Sequence, residues 1–322
     1  MKKALFIIIL LTLSYGCKRS VVNTTPSKTI TIGVLPTMDF LPFAIANQNG
    51  TYDSLGLAVN FKMFYSEEEM CLAFHRQNIE GMLTDIPDAI IQQNNYDNGQ
   101  IIMQTDGYYQ LIAKKEIHSI ANLKNKNISI SHNTAADFLT GMVLQNKKIN
   151  LYVNEPEINK IPIRLTTLID NKSNIISASF LPDVSATKAL HTGGMKVLRN
   201  SDSIGLHLNA VMMNKSAIEN KGQEIKDLII GYNIAADYIN ANKHKIWKST
   251  ILYPLNIDKK TAMHIKVPTY KNATLPEKRT IRLCRIWLKT RQLLNDKYDI
   301  NKLVNYGFAI KNNNNHRKNF NL

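Results

Sequence analysis

Apolar and β-branched positions alternate from Thr29 to Leu35 (TITIGVL), a pattern that predicts a strand ending at Pro36. Leu41 to Asn47 is apolar and rich in helix-forming alanine, with Gly50 as its stop. A second strand is expected over Leu57 to Phe64 (LAVNFKMF). Glu67 to Arg76 (EEEMCLAFHR) reads as a helix whose acidic first turn suits its positive N-terminal end. Gly81 to Asp85 is a short strand ending on an acid, and Pro87 to Asn94 follows as a helix. Strand and helix thus alternate over residues 29–95, the pattern of an open α/β sheet.

Farther along, strands are expected at Ile128 to Ser131, Ile163 to Thr167, Ile175 to Phe180, Met195 to Arg199 and Leu208 to Met213. Helices are expected over Ala135 to Lys147, residues 216–241 and Lys278 to Leu294, with a polar tail at the end. Ligands of such sheets sit beyond the carboxyl ends of the strands. Asp39 and Asp85 both fall just past such ends.

Composition places the chain among folded proteins: 322 residues, 44% hydrophobic and 20% charged, enough for two compact lobes. Its net charge of +15 raises the question of nucleic acid. The basic residues are scattered, however, and no nucleic-acid-binding motif accompanies them, so none is expected as a partner. At the N-terminus, Met1-Lys2-Lys3 and the apolar run Ala4 to Leu13 make a segment too short to span a bilayer. With Leu13-Ser14-Tyr15-Gly16-Cys17 they resemble a bacterial lipoprotein leader, in which Cys17 becomes lipidated. The alternative is an ordinary secretory signal, and both readings export the protein. Cys71 and Cys284 are read as two buried thiols rather than a disulfide, and no metal-ligand cluster or cofactor motif is evident.

Several stretches together resemble the substrate-binding proteins of ABC importers for nitrate, taurine, alkyl sulfonates and thiamine-precursor pyrimidines. They are Ile32-Gly33-Val34, Asn49-Gly50-Thr51-Tyr52, Gly56-Leu57-Ala58-Val59 and Gln77 to Met82 followed by Thr84-Asp85. Ile120 to Ser131, Phe180-Leu181-Pro182-Asp183, Ala235 to Ile239 and Trp287-Leu288 extend the likeness, with Asn125 where a glycine is usual. The resemblance implies the two-lobed α/β fold of type II periplasmic binding proteins, each lobe a mixed sheet flanked by helices, with the ligand cleft at the hinge. It implies a signal peptide over residues 1–16 and a tether over 17–28. Residues 29–113 with 205–306 would form lobe 1, residues 114–204 lobe 2, and 307–322 the tail. A monomer delivering a small organic solute (aminopyrimidine-like, sulfonate or similar) to a permease and its ATPase follows from the same likeness.

Thr37, Met38 and Asp39 stand where the first strand opens into that cleft, and Tyr65 and Ser66 follow the second strand. Asp39 either accepts hydrogen bonds from a ligand or caps a helix, and Thr84 and Asp85 carry the same two readings after the third strand. Ser131, His132, Asn133 and Thr134 precede a helix whose free N–H groups suit an anion. Phe180 and Pro182 are expected to line lobe 2, with the core as the alternative place for Phe180. Two other functions share the scaffold: an enzyme of pyrimidine or menaquinone biosynthesis, and a solute sensor for a membrane receptor.

Overall fold

The computed structural model describes residues 28–145, 153–170, 172, 175–243, 254–255 and 257–309. Cys17, the leader, most of the tether and the end of the tail lie outside the described residues. Two sheets organise the rest. The first has strands β1 (Lys28–Val34), β2 (Leu57–Met63), β3 (Gly81–Asp85), β4 (Gly99–Gln104) and β9 (Asn209–Asn214), in the order β2-β1-β3-β9-β4. The second has β5 (Tyr109–Ala113), β6 (Ile128–Ser129), β7 (Ala178–Pro182) and β8 (Lys196–Asn200), in the order β6-β7-β5-β8. In the first sheet β1 is parallel to β2 and β3, while β9 runs antiparallel between β3 and β4. The carboxyl ends of β1, β3 and β4 and the amino end of β9 therefore share one edge.

The principal helices are α1 (Leu41–Gln48), α2 (Glu67–His75), α3 (Ile86–Tyr96), α4 (Ala135–Leu144), α5 (Ile161–Ile169), α6 (Asp183–Gly193), α7 (Gly222–Ala241) and α8 (Lys278–Thr290). The alternation in β1 buries Ile30, Ile32 and Val34 against α1 and α7, where Phe43 packs on Tyr232 with ring centres 4.8 Å apart. Gly231 lets α7 approach this layer, because a Cβ there would overlap the Tyr52 ring. Gly50 and Gly56 adopt left-handed backbone (φ +68° and +71°) and turn the chain from α1 into β2. Helix α8 packs on α3 of the first lobe and reaches α4 of the second through Trp287, whose ring meets Phe138 edge-on.

Several expectations need correction. Ile163 to Thr167 is not a strand but the middle of α5, which opens with Pro162 and buries Ile161, Arg164, Leu165 and Leu168 along one side. The region 216–241 is two helices, Lys215–Asn220 and α7. Residues 109–113, expected in lobe 1, form β5 of the second sheet, so the chain crosses between the two sheets over residues 105–108. It returns between β8 and β9, over residues 201–208. Cys71 and Cys284 are free buried thiols.

Candidate functional site

The shared edge of the first sheet meets the second lobe in a closed seam. Two buried carboxylates cross it. Asp85, at the end of β3, caps α3 by accepting the Asp88 N–H at 2.9 Å, and with its other oxygen accepts the Ala135 N–H of α4 at 2.6 Å. Asp183, at the start of α6, accepts the N–H of Met38 at 3.0 Å and that of Val184 at 2.7 Å. Around the rim, the Ile161 N–H donates to the Tyr65 carbonyl, Asn159 donates to Glu68, and Lys160 pairs with Glu69 at 2.9 Å.

Asp39 does something the sequence did not announce. It caps no helix. Its Oδ1 accepts the Thr37 hydroxyl at 2.5 Å, and its Oδ2 accepts Thr105 at 3.0 Å and the Asn209 amide at 3.3 Å. Thr105 opens the first crossing directly after β4, and Asn209 opens β9 just after the second. Asp39 therefore ties both crossing strands to the β1 loop, with both oxygens engaged.

Burial raises the carboxyl pKa of Asp39 despite those three donors. Burial, against the backbone donors of Asp88 and Ala135, pushes Asp85 up to about 7. Burial and the nearby charge of Asp39 push Asp183 up to about 7.

Between the lobes lies an enclosed space of about 10 Å³, lined by Leu35, Thr37, Asp39, Glu67, Leu83, Thr84, Asp85, Tyr109, Pro182 and Asn209. That is room for about one water-sized group, so a larger solute requires the lobes to part. Of the sequence candidates, Thr37, Asp39, Thr84, Asp85 and Pro182 meet here. The others stand apart from the space. The Met38 backbone links Asp183 to Tyr270, whose hydroxyl donates to the Met38 carbonyl at 2.7 Å. Tyr65 is half-buried, and Ser66 caps α2 by accepting the Glu69 N–H. Phe180 is wholly buried in the core of the second lobe.

The helix start expected to hold an anion is already occupied by the protein. Asp85 takes the Ala135 N–H, Thr134 donates to the Ser131 carbonyl, and Ser131 donates to Asn159. The Asn133 N–H donates to Asp137, and His132 sits 3.6 Å from the same carboxylate. Sequence reasoning missed Glu67, Tyr109, Asn209 and Asp183. Glu67 is one of three acids in a helix's first turn, so helix electrostatics alone accounted for it. Asp183 stood in a recognised motif but was not singled out.

No family model and no curated protein matches the chain. Solved structures do. The ligand-binding component of an ABC-type import system from Staphylococcus aureus, with zinc bound, superposes with a TM-score of 0.74 at 12% identity, covering 87% of this chain and 97% of that one. The periplasmic nitrate-binding protein NrtA from Synechocystis gives 0.73 at 12%, covering 88% and 87%. The periplasmic aliphatic sulphonate-binding protein SsuA from Escherichia coli gives 0.68 at 12%, covering 89% and 94%. The chain has the fold of the periplasmic binding proteins.

Proposed function

We propose that the chain is a solute-binding protein of an ABC importer, which closes two lobes over a small organic molecule and presents it to a membrane permease and its ATPase. The observation that carries this reading is the seam: the functional edge of one sheet meets the other lobe through buried polar groups, with two chain crossings between them among the described residues. Closure of two lobes about such crossings is an established way to bury a ligand. The similar structures support the reading, since their names describe import, nitrate binding and sulphonate binding. In this reading the protein is exported and held to a membrane by lipid on Cys17, and it acts as a monomer. Asp85 and Asp183 latch the lobes, and Asp39 sets the hinge. The lining residues Thr37, Thr84 and Pro182 meet the solute.

Thermal unfolding followed against pyrimidines, sulfonates, taurine, nitrate and organic amines tests the proposal. At least one solute is expected to raise the melting temperature, to bind one per chain, and to be recovered chemically unchanged after release. Conversion of the bound solute into product would replace this reading with the enzyme alternative. Absence of stabilisation across the panel would overturn it.

A further inference from the structure

Of the three carboxylates that line the space one has an unpaired oxygen, and Asp88 behind Asp85 has another but does not line it. Asp39 is engaged through both oxygens by Thr37, Thr105 and Asn209, Asp85 through both by two backbone N–H groups, and Asp183 accepts two more on Oδ1. Glu67 differs. Its side chain lines the enclosed space and is 3% exposed, yet its Oε2 has no hydrogen-bond partner. Two further buried oxygens of the same lining are unpaired, Thr84 Oγ1 and Asn209 Oδ1. Because the Asn209 amide nitrogen is spent on Asp39, its oxygen is left as an acceptor. A buried polar atom without a partner is costly, and here three oxygens able to accept converge on one small space.

The surrounding charge has the same sense. Asp39, Glu67 and Asp85 line the space, Asp183 lies beside Asp39, and Asp88 adds a further carboxyl behind Asp85. A buried cation in this neighbourhood, among the described residues, is Arg164 on α5, close enough to feel the charge of Glu67. Its Nη1 donates to the Ile158 carbonyl while its Nε and Nη2 have no partner, and Arg164 does not line the space. The lining holds three carboxyl groups and no cation, so it offers an anion no counter-charge. A protonated amine has the size of the space and supplies N–H donors to all three unpaired oxygens.

We infer that the solute is an organic cation, with a protonated amine or amidinium seated against Glu67, Thr84 and Asn209. This rests on the solute-binding reading and names the class of solute. Glu67 supplies the charge, Thr84 and Asn209 fix direction, and Leu35, Leu83 and Pro182 provide the apolar wall beside the carbon skeleton.

The test is isothermal titration of three matched sets: butylamine, butanol and butyrate; benzylamine, benzyl alcohol and benzoate; putrescine, butanediol and succinate. In at least one set the amine is expected to bind, and to bind about tenfold or more tightly than its hydroxyl and carboxylate counterparts. Glu67→Gln, which keeps the side chain's size, is expected to abolish that preference, and Glu67→Asp, which keeps the charge, to retain part of it. Failure of all three amines, a hydroxyl or carboxylate member binding as well as its amine, or an unchanged preference in Glu67→Gln would each overturn the inference. The solute-binding reading would still stand if another solute stabilised the protein, and would fall only if none did.

Discussion

Replacing Arg291 by alanine is expected to cost about 3–5 kcal/mol of folding stability, the range for stranding one partner of a buried ion pair. Arg291 follows α8 and donates two hydrogen bonds, 2.7 and 2.8 Å, to the two oxygens of Asp137 on α4. The Asp137 side chain is wholly buried, whereas that of Arg291 is 32% exposed. The guanidinium also lies 4.5 Å from the centre of the Trp287 ring, whose edge-on contact with Phe138 joins the same two helices. With Arg291 gone, the Asn133 N–H and His132 are left beside a buried carboxylate that has lost its bidentate partner. Denaturant unfolding measures the loss. Adding Asp137→Asn to the Arg291→Ala chain should restore most of it, because the stranded charge is then absent. A loss below about 1 kcal/mol, the range of an exposed pair, would show that Asp137 is not stabilised through Arg291.

The second large effect is on pH. Asp85 and Asp183 have carboxyl pKa values near 7 in the folded chain, against 3.8 when unburied. Between those values the folded chain holds protons that the unfolded chain has released, so stability must fall as pH rises through this window and level off above about 7. Each unit by which burial raises such a pKa corresponds to about 1.36 kcal/mol of this decline. The raised pKa values of Asp39 and Asp88 act in the same direction. Unfolding free energies measured from pH 4.5 to 8 should therefore decline, and Asp183→Asn should flatten the decline while keeping an oxygen to accept the Met38 N–H. Stability that rises with pH over that range would contradict the burial assigned to these groups.

Most of the first lobe was legible because its strands obey the simplest code. The alternation of β1 and the glycines after α1 leave little choice of structure. The β-branched run Ile163-Arg164-Leu165-Thr166-Thr167 misled, because strand propensity is local whereas the deciding pattern was longer. Ile161, Leu165 and Leu168 recur at helical spacing behind Pro162, and that face is what the second lobe buries. Strands β4 and β5 went unread, and with them the point where the chain changes lobes.

The site was half legible for a related reason. Position past a strand end marked Asp39 and Asp85, but the partners that assign their duties are remote in sequence: Thr105 and Asn209 for one, Ala135 for the other. Glu67 looked sufficient as a helix-start acid, and its unpaired, buried oxygen on the lining of the space sets it apart.

Solute binding by lobe closure requires that the two lobes part and close along the seam. Spin labels on exposed Lys62 of the first lobe and Lys172 of the second, read by double electron–electron resonance, measure that directly. Addition of the solute found by thermal screening should convert a broad distribution of distances into a single narrow one matching the closed seam. A distribution that the stabilising solute leaves unchanged would contradict the account.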